Sequence, residues 1–176
     1  AVRFVIFLLV LLSGTSCAPD KPPATAAAPA FVGRDTCATC HAAEAQAWSG
    51  SHHDLAMEEP TARSVRGRFD GTVFEGRSGT AAFIRQDGKF LIRTAGMDGK
   101  PADFPVSWTF GVAPLQQYLV PFPGGRFQAF GVAWDDRPAD AGGQRWYDLY
   151  PDQALKAGDP LHWTGIDQTW NYQCSE

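Results

Sequence analysis

Apolar and polar positions along the chain fall into distinct textures. An unbroken apolar run from Phe4 to Leu12 follows a single cation, Arg3. It is too short to cross a bilayer as a permanent helix, which takes roughly 20 residues. Residues 18 to 30, APDKPPATAAAPA, are mostly Ala and Pro, and proline there sustains neither a helix nor a strand ladder. Around residues 42 to 48, AAEAQAW has a helical composition and is stopped by Ser49-Gly50-Ser51. From Thr72 to Tyr150 the pattern becomes short alternating runs punctuated by turn dipeptides. Asp87-Gly88 stands between two such runs and predicts a hairpin, Asp98-Gly99 marks a second turn, and Pro123-Gly124-Gly125 a third, with Trp134-Asp135-Asp136 closing its return strand. Pro105 and Pro121 are expected at strand ends, edges or bulges. The last stretch, DPLHWTGIDQTWNYQCSE, returns to helix and loop.

These textures predict an α+β fold: short helical segments at both ends flanking an antiparallel β meander. The organisation expected is a leader over 1–17, a tether over 18–30 and one domain over 31–176. Within the domain, 31–64 is a helical segment, 65–150 the β region and 151–176 the closing segment. Residues 3–17 follow signal-peptide grammar, and Ser13-Gly14-Thr15-Ser16-Cys17 resembles a lipobox with Gly14 where Leu is usual. Acylation at Cys17 would anchor the chain to a membrane; plain cleavage is the alternative. Either way the chain is expected to be exported, to the periplasm, where thiols are oxidised or covalently modified. With 15 basic against 19 acidic residues and no basic cluster, nucleic acid is not an expected partner.

The chemistry concentrates in Cys37-Ala38-Thr39-Cys40-His41, a C-x-x-C-H pentapeptide of the kind that attaches c-type haem. One helical turn brings both thiols to the same side, where they can add to the two vinyl groups of one porphyrin, and His41 can reach the iron as proximal ligand. A redox dithiol, a structural disulfide and half a zinc site are the alternatives. No βαβ pattern precedes the motif, and zinc would need further ligands at tight spacing.

His52, His53 and His162 are the remaining histidines and the candidates for the other axial position. His52 follows His41 by eleven residues, which in a straight helix would carry it about 16 Å away, so only a sharp return at Gly50 could bring this pair round. The bland reading of His52 and His53 is a solvated turn. Met57 is a further conceivable ligand, although a methionine there is more simply packed. His162, between Leu161 and Trp163, is either a satisfied core residue or a ligand approaching from elsewhere in the chain. The aromatics of the middle region alternate as core residues do, and Arg126 and Arg145 could pair with haem propionates or simply lie on the surface.

Taken together, VGRDTCATCHAAEAQAWSGSHHDLAM, FGVAPLQQYLVPFPGGRFQAFGVAWDDRP, GGQRWYDLYPD and DPLHWTG…WNYQC resemble the bacterial multihaem cytochromes c. The resemblance is to the group related to the tetrahaem cytochrome of ammonia oxidisers, and more narrowly to the doubly C-x-x-C-H family whose longer members continue into tetratricopeptide repeats. It implies thioether bonds at Cys37 and Cys40, a proximal His41, and in His53 a ligand to a neighbouring haem. It also implies that Cys174-Ser175-Glu176 opens a second C-x-x-C-H motif, so the chain reads as an N-terminal fragment with one complete haem c site and a second, truncated one. The function implied is periplasmic electron transfer, with redox proteins or further haems of a longer chain as partners. A haem-dependent oxidoreductase acting on a small nitrogen or oxygen species is the alternative, and a haem-free lipoprotein binding module a third.

Overall fold

A computed structural model describes residues 30–173. The leader over 1–17 with Cys17, nearly all of the Ala/Pro tether, and Cys174 lie outside the described residues. The chain forms helices α1 (Arg34–Ala38) and α2 (Ala42–Trp48), then strands β1 (Met57–Glu58), β2 (Asp70–Gly76), β3 (Gly79–Gln86), β4 (Lys89–Ala95) and β5 (Pro101–Pro105). Strands β6 (Trp108–Phe110), β7 (Leu115–Phe122), β8 (Arg126–Ala129), β9 (Val132–Asp135) and β10 (Arg145–Asp148) follow, and helix α3 (Trp170–Gln173) ends the described region.

The expected turns form where the sequence placed them. Asp87 and Gly88 both take positive φ, 50° and 75°, as a two-residue hairpin loop requires, and Gln86 pairs with Lys89 across it. Pro123, Gly124 and Gly125 join β7 to β8, with Phe122 opposite Arg126. Pro105 ends β5. Pro121 pairs only with β8, beyond the last rung of the β6 ladder at Leu119, so its missing N–H interrupts no ladder on that side.

The α+β expectation does not hold: the fold is mostly antiparallel β, ten strands in two sheets with three short α-helices among the described residues. Only β2-β3-β4-β5 form the simple meander expected. The other sheet runs β1-β6-β7-β9-β10, with β8 also on β7. One meander would leave its apolar face in water. The chain instead leaves the first sheet after Pro105 and builds a second one against it. Phe83 and Ile92 from one sheet and Tyr118, Val120 and Trp134 from the other then become essentially inaccessible. The helical ends are also shorter than composition suggests. α2 has seven residues, and among the described residues of the closing segment, 151–173, Pro151, Gly158 and Pro160 leave turns, a single 3-10 turn (Ile166–Gln168) and the four-residue α3.

Rings from both sheets fill the core. Trp146 stacks on Phe83 with centroids 3.4 Å apart, and Phe69 meets Phe83, Phe90, Tyr118 and Trp146 edge-on at 5.2–5.6 Å. Burying each ring contributes about 1.5–3 kcal/mol, with edge-to-face geometry adding to it.

A buried polar cluster fastens the incoming segment to β7. The Arg66 N–H donates to Gln116 Oε1 at 2.8 Å, the Gly67 N–H to Tyr118 Oη at 2.9 Å, and Tyr118 O–H to Gln116 Oε1 at 2.8 Å. Gln116 Nε2 donates to the carbonyls of Ser64 and Gly111. Burial pushes the Tyr118 phenol well above its ordinary pKa, so it remains a donor throughout.

The closing segment is held similarly. Gln128 Nε2 donates to the carbonyls of Trp163 and Gly165, Thr169 Oγ1 donates to Gln128 Oε1, and Trp163 Nε1 donates to Ala95 O at 2.9 Å. The Phe127 N–H donates to Asn171 Oδ1 at 2.6 Å, which seats α3 beside β8.

Gly67 leaves no room for a side chain: a Cβ there would come within 2.4 Å of Trp146 Cη2 and 2.7 Å of Tyr118 Oη. Gly67→Ala is therefore expected to destabilise the protein by about 1–3 kcal/mol, read as a lowered thermal midpoint. An unchanged midpoint would mean that the latch and the ring stack are looser than described.

Candidate functional site

The C-x-x-C-H turn lies outside the core. Neither α1 nor α2 contains a buried residue. What holds this region to the β structure is β1, whose Met57 and Glu58 pair with Phe110 and Thr109, together with the Gly111 N–H donating to Ala56 O at 2.7 Å.

Cys37, Cys40 and His41 do share one turn. The Cys37 carbonyl accepts from the N–H groups of Cys40 at 3.2 Å and His41 at 3.0 Å, and His41 then caps α2. Both thiols are free and exposed, and the His41 imidazole is exposed with no hydrogen-bond partner. Cys37 and His41 line a shallow groove with Arg34, Ala38, Ala45 and Trp48, and Glu44 at its side. Phe31, Val32 and Trp48 are exposed large apolar side chains on the same segment. Two unbonded thiols on one turn, an unspent imidazole and an uncovered apolar surface fit a covalently attached porphyrin. They fit a buried structural disulfide poorly. Among the described residues, no three His, Cys, Asp or Glu side chains come together as a ligand set for a bare metal ion.

The other sequence candidates are dispersed. The chain does turn back at Gly50, whose φ is +74°. Asp54 Oδ2 accepts the Gly50 N–H at 2.8 Å, and Asp54 Oδ1 lies 3.8 Å from Arg34 Nη1, which closes the 51–54 turn toward α1. His52 and His53 lie on that turn with exposed side chains. Met57 is half-buried in β1 opposite Phe110, a packing position.

His162 is not brought to the turn. It is only 4% exposed and lines a cavity with Phe74, Thr94, Phe130, Tyr150 and Trp163, which shares no residue with the groove at His41. Its Nδ1 lies 3.3 Å from the Thr164 N–H and 2.8 Å from Thr164 Oγ1, so Thr164 fixes the ring from its own turn.

Arg126 and Arg145 make local bonds. Arg126 Nε donates to Pro123 O at 3.2 Å and Arg145 Nε to Gly142 O at 2.9 Å. Cys174 lies just past α3 and outside the described residues. Sequence reading passed over Arg34 and Asp54. Helical spacing could have found Arg34, which stands three residues before Cys37 and so on the same face.

Against known protein families, curated proteins and solved structures the chain finds no match. The resemblance to multihaem cytochromes therefore rests on the residues quoted for it.

Burial holds the His162 imidazole below its ordinary pKa, with Asp159 pulling weakly the other way. The unfolded chain then binds this proton more readily than the folded one. His162 consequently costs nothing above about pH 6.5, and stability falls as pH drops from there through the lower folded value. Thermal midpoints measured from about pH 7.5 to 5 should fall less steeply for His162→Gln than for the unaltered chain. Parallel slopes would show that the ring is solvated and not locked by Thr164.

Proposed function

We propose that this chain is the haem-carrying domain of an exported c-type cytochrome, holding haem covalently through Cys37 and Cys40 and transferring electrons. The observation that carries the reading is the turn itself. Two unbonded thiols and an unpartnered imidazole are displayed together, on a segment that buries none of its apolar side chains. Bound haem supplies a one-electron ferric/ferrous couple.

The chain's own residues do the rest. Cys37 and Cys40 present their sulfurs from one turn, His41 offers a ring nitrogen beside them, and Ala38, Ala45 and Trp48 give an apolar wall. His53, on the turn closed by Asp54, is the protein ligand favoured for the opposite face or for a neighbouring haem. Partners on this reading are redox proteins or further haems of a longer chain, and the second motif would begin at Cys174. Periplasmic location and attachment through Cys17 belong to the same proposal.

Production with a cytochrome c maturation system and mass spectrometry of the peptide spanning Cys37 to Cys40 tests this. The peptide should gain the mass of one haem, Cys37→Ser/Cys40→Ser should gain none, and in haem-loaded protein His41→Ala should change the ferric absorption spectrum. An unmodified peptide would remove the cytochrome reading and leave the haem-free binding module. A haem that takes up cyanide or nitrite in the ferric state would move the assignment to the oxidoreductase.

A further inference from the structure

Arg34 lies on α1 one turn before Cys37 and lines the same groove as Cys37, His41 and Trp48. Its guanidinium carbon sits 5.4 Å from the centre of the Trp48 ring, close enough for a cation–π contact that fixes the plane of the group. Asp35 and Asp54 make only long ion pairs with it, and Glu44 lines the same groove without pairing with it. Arg34 Nε is 4.0 Å from Asp35 Oδ1 and Nη1 is 3.8 Å from Asp54 Oδ1, both beyond hydrogen-bonding length. Asp54 meanwhile spends its other oxygen on the Gly50 N–H. A guanidinium carries five donors in a rigid fork suited to a carboxylate, and that of Arg34 makes two long ion pairs but no protein hydrogen bond, while the side chain stays about half exposed, at 54%. Arg126 and Arg145 use an Nε–H on a carbonyl of their own loops, so they lack this freedom.

We propose that Arg34 binds a carboxylate of the ligand in this groove, on the haem reading a propionate of the haem held by Cys37 and Cys40. Trp48 keeps the guanidinium fork at the groove. Asp35 and Asp54, at 4.0 and 3.8 Å, balance its charge without taking up its hydrogen-bonding fork. The role is one of positioning and charge: Arg34 would orient the plate on its thioether bonds and keep the carboxylate ionised.

The inference rests on the haem reading, so the test separates the two. Haem mass on the Cys37–Cys40 peptide of the unaltered protein is checked first, and its absence would sink the parent reading. Reduction potential is then followed against pH in haem-loaded protein, Arg34→Gln and Arg34→Lys. A paired propionate ionises at lower pH, so the pH at which the potential begins to fall should move up by about one unit in Arg34→Gln and by less in Arg34→Lys. Superimposable profiles, with haem attached in all three, would overturn the inference and leave the cytochrome reading intact. Should Arg34→Gln fail to load haem, the Arg34→Lys profile decides in the same way.

Discussion

Everything described depends on the contact between the two sheets, and within it on Trp146 lying flat against Phe83 with Phe69 set edge-on to both. Trp146 comes from the edge strand β10 of one sheet and Phe83 from β3 of the other, so this stack closes the core between the sheets. The constraint that follows is a division of labour. Apolar burial is completed by the β structure, whereas α1 and α2 bury nothing and are held by a two-residue strand and a few hydrogen bonds. A segment so arranged can give its apolar side chains and its unspent donors to a ligand without loosening the core.

Two buried glutamines make that division workable. Gln116 joins the segment arriving from α2 to β7, and Gln128 joins the closing segment to β8. Each amide uses both its oxygen and its nitrogen, so removing either would strand buried backbone groups as well as lose its own bonds. Through these latches the segment that follows β1 and the closing segment that ends in α3 are both tied to the second sheet.

How far the sequence revealed this follows from the range of each signal. The hairpin at Asp87-Gly88 was readable because positive φ at two successive residues is a local demand that few residue pairs meet. Alternation marked the middle aromatics as core, since side-chain period is local too; Phe83, Phe90, Tyr118, Phe130 and Trp134 are buried, whereas Trp108, Phe110 and Phe127 are only half-buried. Which strands pair is not local, so the division into two sheets, and with it the fold class, was missed. The candidate site splits in the same way. Cys37, Cys40 and His41 were visible because their geometry lies within one turn. His162 was visible as an odd residue in apolar surroundings, but nothing in LHWT shows that Thr164 would present a donor to Nδ1. Arg34 went unnoticed because its meaning depends on Trp48, which the bend between α1 and α2 brings over it, and on Asp54, which reaches it only after the chain turns at Gly50.

The central claim, that a self-sufficient β core carries a C-x-x-C-H turn it does not need for folding and that, on the proposed reading, receives haem, is most directly tested by residue-resolved amide hydrogen exchange on the chain before and after haem attachment. Without haem, the amides of β3, β4 and β7 should already exchange slowly, while those of Cys40, His41 and Ala45 exchange fast and gain protection only once haem is bound. Slow exchange across 34–48 in the haem-free chain, or loss of protection in β3, β4 and β7 when haem is absent, would contradict the account.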